Sequence, residues 1–195
     1  MLEMKSLMSC RSSRSVTFSV SAARQASGFT LVELMVTIAI ATILMTIATP
    51  SYISFQRNAQ LSEAVNSFMA AVNATRANAI KQGRNTYMIP VSGTNWSSGW
   101  LVFADVNWDQ AYTAGTDELV LQSESPSSAL TITTPTGSSL ASGYLRFNGS
   151  GYPKMMNGGL ATGKLVIANA YRSSTVNIDG TGRVRSCKTD STGCP

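Results

Sequence analysis

An apolar stretch at residues 29–49 constrains this chain more than any other feature, because Glu33 is its only charged residue. As an α-helix the stretch would be about 30 Å long, which matches the hydrocarbon core of a membrane. A carboxylate in such a helix costs roughly 2.5–3.5 kcal/mol on membrane insertion, so we expect Glu33 to have a function. Four basic residues ahead of the stretch predict a cytoplasmic N-terminus.

The helical pattern continues beyond Pro50, which lacks an N–H group and is expected to kink or interrupt the helix. Apolar residues then recur at helical spacing on one face, and Gly83 is a suitable stop. The residues of this face are Leu61, Val65, Phe68, Val72 and Ala79. We therefore predict one long helix over about residues 29–82, apolar all round in its first half and amphipathic in its second.

After Gly83 the pattern changes to short β-type runs, separated by turn sequences rich in Ser, Gly, Asn and Pro. The eight runs cover residues 85–91, 100–105, 118–123, 129–134, 143–148, 164–169, 174–179 and 182–186. No helical pattern lies between them. This order predicts an α+β protein in which antiparallel sheets pack on the amphipathic half of the long helix.

Composition argues against several functional classes. The chain has no histidine, which is the commonest general base, and only three cysteines, too few for a zinc site made of cysteine alone. No G-x-S-x-G nucleophile motif is present, so a membrane-anchored periplasmic hydrolase is a weak alternative. We predict no enzymatic activity, no cofactor and no metal. Residues 105–118 resemble the start of a calcium loop, but Gln110 and Thr116 replace its required glycine and glutamate, which favours a solvated acidic loop.

The sequence GFTLVELMVTIAIATIL at residues 28–44 resembles the prepilin-type cleavage and methylation segment of type IV pilins and type II secretion pseudopilins. RANAIKQG (76–83), GWLVFAD (99–105) and GTGRVR (180–185) are similar to the GspH/FimT branch of that family. The resemblance implies a type IV pilin-like fold with four segments. These are a cleaved leader (1–28), a transmembrane and assembly helix (29–50), an amphipathic helix (51–83) and a periplasmic β-rich domain (84–195).

The resemblance also implies how the chain is processed. A prepilin peptidase would cut between Gly28 and Phe29 and methylate the new amine of Phe29. Glu33 would then lie four residues from that amine on the same helical face, and would pair with the amine of a neighbouring subunit. We therefore assign Glu33 and Pro50 to assembly. The alternative is a plain signal anchor with a stray acid.

Charge is unevenly distributed in the mature chain. Residues 85–145 hold five acids and no base, whereas residues 146–195 hold seven bases and two acids. Within the basic segment Gly182 precedes Arg183 and Arg185, which alternate on a predicted strand and so leave one face about 7 Å apart. That arrangement suits consecutive phosphates of a nucleic-acid backbone.

In FimT-like minor pilins a Gly-Arg-x-Arg motif is linked to capture of double-stranded DNA in natural transformation. We add Lys188 and Arg172 to this candidate site; Lys164 and Lys154 are possible extensions whose face the sequence does not determine. The alternative is a solvated basic edge strand that resists edge-to-edge pairing. In an oxidising periplasm we expect a disulfide between Cys187 and Cys194, with two free thiols as the alternative.

The favoured function is a type IV pilus minor pilin that binds DNA. The alternative is a minor pseudopilin of a type II secretion system, which primes or caps a filament and binds no DNA. Either protein would span the inner membrane once, with a periplasmic C-terminal domain, before it joins a cell-surface pilus or a periplasmic pseudopilus. The expected partners are other pilins or pseudopilins, the prepilin peptidase, the inner membrane and double-stranded DNA.

Overall fold

The structure is a computed structural model that describes residues 28–189. It has two compact units, one up to Ile43 and one from Leu44 onward. The described part of the first unit is the start of helix α1 (Leu31–Gln82), where every residue is exposed. By length and composition α1 is able to cross a membrane.

Helix α1 satisfies its polar groups locally. Thr30 lies directly before it and its Oγ1 accepts a hydrogen bond from the N–H of Glu33 (3.2 Å), which makes Thr30 the N-cap. The hydroxyls of Thr37 and Thr42 each donate to a carbonyl oxygen in the preceding turn, at 2.8 Å. Such bonds let hydroxyl groups remain in an apolar helix without a water partner.

The predicted course of α1 agrees with the structure. Pro50 lies inside the helix and does not end it, so the expected interruption is absent and a kink there stays a prediction. Gly83, with φ of 66°, follows the last helical residue, as predicted. The predicted apolar face is buried, together with three further residues; the buried set is Leu61, Ala64, Val65, Phe68, Ala71, Val72, Thr75 and Ala79.

Within residues 28–189 eight strands follow α1, and each overlaps one of the predicted β-type runs. They are β1 (Thr86–Ser92), β2 (Asn95–Ala104), β3 (Glu118–Ser123), β4 (Thr131–Thr133), β5 (Leu145–Phe147), β6 (Gly163–Ala168), β7 (Ser173–Ile178) and β8 (Val184–Lys188). In this part of the chain they form two four-stranded antiparallel sheets. The first has the order β3-β2-β1-β5 and the second the order β4-β6-β7-β8.

The strand ends differ from the sequence prediction by at most two residues except at the start of β2, and one element was not predicted. β2 begins at Asn95 rather than residue 100, because Gly93 (φ 54°) and Thr94 form a tight turn that pairs Ser92 directly with Asn95. β8 begins at Val184, so Gly182 precedes the strand. A short 3-10 helix at Ser139–Ser142 was not predicted.

The core lies between the amphipathic half of α1 and both sheets. Phe68 of α1 is fully buried and meets Trp96 and Trp100 edge-on, with ring centroids 5.6 and 5.3 Å away. The second sheet contributes Leu165, Ile167, Val176 and Ile178 to the same core. Trp96 and Trp100 are therefore packing residues of this core.

The C-terminal end of α1 meets the loop after β5 at two glycines. A Cβ atom at Gly149 would lie 2.5 Å from the carbonyl carbon of Gly83, closer than any side chain tolerates. The contact is therefore between two backbones, and it fixes the end of the helix against the first sheet.

Candidate nucleic-acid interface

The turn between β7 and β8 is organised by one carboxylate. Oδ1 of Asp179 accepts hydrogen bonds from the N–H of Thr181 (2.9 Å), its hydroxyl (2.5 Å) and the N–H of Arg183 (3.0 Å). The pKa of Asp179 is lowered mainly by the hydrogen bond from the Thr181 hydroxyl. The backbone N–H groups of Arg183 and Thr181 and the positive charge of Arg185 lower it further. Asp179 is therefore an anion that shapes the turn from which Arg183 projects.

Gly182 is required by the backbone and by packing. Its φ is 80°, and an added Cβ atom would lie 2.8 Å from Cε1 of Phe147, a fully buried core residue. Nη1 of Arg76 in α1 donates a hydrogen bond to the Gly182 carbonyl oxygen at 3.3 Å. The glycine of the Gly-Arg-x-Arg motif thus anchors to the core the turn that carries Arg183.

Arg183 and Arg185 are both exposed and line one cleft together with Asn177 and Asp179. Arg185 lies directly opposite Asn177 in the β7–β8 ladder. Val184, between the arginines, packs against the core, so the arginines flank a side chain that points the other way. Arg183 itself lies in the turn, one residue before β8.

A third cation belongs to the same face of the second sheet. Lys164 on β6 pairs with Asn177 on β7, which in turn pairs with Arg185 on β8. Directly opposed residues point to the same side of a sheet, and two strand spacings place Lys164 about 10 Å from Arg185. We call the set Lys164, Asn177, Asp179, Arg183 and Arg185 the arginine face.

The structure separates Lys188 and Arg172 from the arginine face. Lys188 is paired with Ser174, on the side of β7 that carries the core residues Val176 and Ile178. Lys188 and Arg172 both line another cleft, beside α1. The candidate DNA-binding residues therefore do not form one surface; the set is Gly182, Arg183, Arg185, Lys188 and Arg172. The pairing register between β7 and β8 places Arg185 and Lys188 on opposite faces of the second sheet.

Another base of the C-terminal segment is withdrawn from the surface. Arg146 is 9% exposed; Nη1 lies 3.5 Å from the Tyr87 hydroxyl and Nη2 donates to the Met155 carbonyl oxygen. Tyr87 stacks on Phe103 with ring centroids 5.4 Å apart, and burial raises its pKa. This group supports the outer side of the first sheet and offers no cation to a ligand.

The acidic loop between β2 and β3 binds its own backbone. Asp105 accepts from the N–H groups of Trp108 (2.7 Å) and Gln110 (3.2 Å), while Asp117 accepts from those of Val106 (3.0 Å) and Thr113 (2.8 Å). Among the described residues no group of three or more His, Cys, Asp or Glu is placed to hold a metal ion. Trp108 is 64% exposed, unlike the other two tryptophans.

The predicted cleavage site lies at the edge of the described chain. Gly28 and Phe29 are exposed and precede the cap residue Thr30, and residues 1–27 of the predicted leader lie outside the described residues. Sequence reasoning missed the role of Thr30, although Thr-x-x-Glu at residues 30–33 has the spacing of a capping box. Cys187 lies on β8, but Cys194 is outside the described residues, so the disulfide stays a prediction.

Comparison with protein families decides the class of this chain. Residues 64–182 match the family model described as type II transport protein GspH, and residues 23–49 match the prokaryotic N-terminal methylation motif. The chain belongs to the GspH family. The resemblance to the GspH/FimT branch and to the prepilin-type segment is thereby confirmed at the level of the family; the GspH match ends at Gly182, before Arg183 and Arg185.

Solved structures share the fold of this GspH-family protein. Two crystal forms of the type IV minor pilin FimU from Pseudomonas aeruginosa PAO1 give TM-scores of 0.51 and 0.52 at 15% and 14% identity. They cover 67% of this chain and 90% and 98% of FimU. The minor pseudopilin EpsH from the type 2 secretion system of Vibrio cholerae gives a TM-score of 0.48 at 13% identity. That match covers 68% of this chain and 99% of EpsH. Identities this low show the fold alone, and the two FimU structures confirm the predicted α+β pilin-like architecture. Comparison with curated protein sequences gives no match.

Proposed function

We propose that this GspH-family protein is a minor pilin of a type IV pilus, assembled through its N-terminal helix, that binds double-stranded DNA through Arg183 and Arg185 for uptake in natural transformation. Family membership supports the role of a filament subunit. The observation that carries the DNA-binding role is the arginine face, where the exposed guanidiniums of Arg183, in a turn fixed to the core, and of Arg185, on β8, line one cleft.

The assembly role depends on processing at residues 28 and 29. Removal of residues 1–28 creates a positive amine at Phe29, directly before the cap residue Thr30. Glu33 is exposed in the first turn of α1, where an anion is favourable to the helix dipole. In a bilayer this carboxylate needs a cation, and the amine of an adjacent subunit supplies one. Residues 29–50 then span the membrane once and residues 84–195 form the periplasmic domain.

The DNA role follows from the chemistry of the arginine face. Guanidiniums bind phosphate oxygens with paired N–H donors, and such contacts position a protein on a duplex without reading its sequence. The interaction is therefore expected to be independent of sequence and to weaken as salt rises. Asp179, a carboxylate within the same cleft, limits its strength.

The test uses the full-length protein in detergent micelles and a labelled duplex, titrated at several salt concentrations. Arg183→Gln/Arg185→Gln should weaken binding roughly 10- to 30-fold, at about 1 kcal/mol for each lost ion contact. It should also lower the slope of log K against log salt by about 2. The matched control, Arg172→Gln/Lys188→Gln, removes the same charge from the opposite face and should preserve the slope.

Two outcomes count against this proposal. Equal losses in both double variants would show that net charge, not the arginine face, attracts DNA. If the wild-type protein gives no binding at low salt, the alternative role is favoured, that of a type II secretion minor pseudopilin with a structural function in its filament.

A further inference from the structure

We propose that bound DNA continues past the two arginines into a second cleft, where Lys164 and the loop at residues 135–138 hold a further phosphate of the same DNA strand. The inference rests on the DNA-binding part of the proposed function and adds a second phosphate site to it. The Gly-Arg-x-Arg motif does not predict this site, because Lys164 lies on β6 and the loop follows β4.

The second cleft, which we call the lysine cleft, lies between β6, β7 and the loop that joins β4 to the 3-10 helix. Residues 135–138 form one wall, and Lys164 is the base among the residues that line it. Its volume is ≈ 400 Å³, against ≈ 260 Å³ for the cleft that holds Arg183 and Arg185. Asp179 lines both clefts, so the two adjoin at the end of β7.

Two serines hold the loop wall of the lysine cleft on β6. The Ser138 hydroxyl accepts a hydrogen bond from the N–H of Lys164 (2.8 Å) and donates one to the Lys164 carbonyl oxygen (2.9 Å). Ser139 donates to the Thr162 carbonyl oxygen from its N–H (3.0 Å) and from its hydroxyl (2.8 Å). The wall is therefore fixed on both sides of Gly163, and the cleft is a built feature of the fold.

The lysine cleft presents hydrogen-bond donors to an anion. The hydrogen bonds of Lys164 within residues 28–189 are made by its backbone, which leaves its ammonium for a ligand. On the facing wall Thr136 and Gly137 are exposed, and their N–H groups donate no hydrogen bond in the same part of the chain. Phosphate oxygens of DNA accept hydrogen bonds from lysine and from backbone N–H groups. A phosphate therefore fits the chemistry of this cleft.

The spacing of the two clefts suits one strand of DNA that crosses the sheet. Lys164 and Arg185 are separated by two strand spacings, about 10 Å, which corresponds to roughly three phosphates at 3.4 Å of duplex axis each. Asp179 directly follows β7, the strand between them, and its carboxylate repels a phosphate placed beside it. The favoured positions for phosphates therefore lie on either side of Asp179, one at the arginines and one at Lys164.

The first test is Lys164→Gln in the full-length protein in detergent micelles, titrated with a labelled duplex at several salt concentrations. One ion contact is lost, so binding should weaken roughly three- to six-fold. The slope of log K against log salt should fall by about 1. Arg172→Gln removes the same charge from the opposite face and should preserve the slope. An unchanged slope in Lys164→Gln, or an equal change in both variants, would overturn the inference.

The second test traps the contact chemically in the wild-type protein. A duplex with abasic sites along one strand carries aldehydes; a lysine amine condenses with an aldehyde to an imine with loss of water, and borohydride reduces the imine to a stable amine. Peptide mapping should place the adduct on Lys164 and not on Lys81 or Lys154, which line neither cleft. Arg183→Gln/Arg185→Gln should lose the adduct together with its affinity, because the arginines hold the same strand.

The outcomes separate this inference from the function on which it rests. If the wild-type protein binds the duplex but forms adducts only on other lysines, the lysine cleft is refuted and the role of Arg183 and Arg185 stands. If the wild-type protein binds no duplex at low salt, both proposals fail.

Discussion

The guanidinium of Arg76 in α1 donates a hydrogen bond to the carbonyl oxygen of Gly182, with Nη1 and O 3.3 Å apart. The donor lies in the last two turns of the helix and the acceptor lies in the turn that precedes β8. The proposed DNA-binding arginines are therefore attached to the same helix that carries the assembly segment. Because Gly182 also packs on Phe147, the position of Arg183 is set by the core.

Gly182→Ala should destabilise the protein. The substitution forces an alanine into φ of 80° and a Cβ atom to within 2.8 Å of Phe147, so we expect a loss of roughly 2 kcal/mol in the free energy of unfolding. Denaturant unfolding of the full-length protein in detergent measures it. Gly180→Ala is the control, since its Cβ would meet only Leu160, at 3.9 Å. Equal effects at the two glycines would contradict the packing argument.

Asp179→Asn should strengthen DNA binding. Asparagine keeps the oxygen that accepts from Thr181 and Arg183, but it removes the negative charge beside the arginines. An exposed charge at this range is worth up to about 1 kcal/mol, which corresponds to roughly two- to five-fold tighter binding. Asp109→Asn, in the loop between β2 and β3, makes the same change in net charge and should leave affinity nearly unchanged. Weaker binding by Asp179→Asn would refute this view of the turn.

Asp179 should also contribute a pH-dependent part of the stability. Hydrogen bonds from Thr181 lower its pKa in the folded state, so its contribution is complete above the unfolded pKa of about 3.9. That contribution is lost as the pH falls through the folded pKa. The difference in unfolding free energy between wild type and Asp179→Asn should therefore be constant near neutral pH and shrink below about pH 4. A difference that stays constant down to pH 2 would show that the carboxylate is not the cause.

Processing at Gly28 predicts a defined N-terminus. Intact-mass measurement of the membrane-extracted protein should give a chain that starts at Phe29 and is one methyl group heavier than its sequence. Glu33→Gln keeps the shape of the side chain but removes the partner of the new amine, so less of the processed protein should be recovered in filaments. Thr37→Val, which removes only a hydroxyl bonded within the helix, should behave like wild type. An uncut or unmethylated N-terminus would remove the basis for this role of Glu33.

The helix and the strands were predictable because their signals are local. The apolar face of α1, its end at Gly83 and all eight β-type runs follow from spacing and turn residues. Which side chains lie together in the candidate site was less predictable from the sequence. Whether Lys188 or Lys164 accompanies Arg185 depends on the β6–β7–β8 register, which is set by pairing between residues distant in sequence. The φ of 65° at Trp108 is likewise unexpected for a tryptophan, and it accompanies a hydrogen bond from the Trp108 N–H to the Asp105 carboxylate.

The contact between Gly83 and Gly149 has a mechanical consequence for a subunit held by its N-terminal helix. Besides the side chains of α1 that pack on the core, a pull along α1 reaches the first sheet through two backbones that touch, with no side chain between them to rotate or stretch. Such a junction has little slack, so tension on the anchor is passed to the globular domain almost at once. A larger residue at Gly149 would insert a compliant spacer into that path, whereas a Cβ atom at Gly83 would meet nothing within 4 Å.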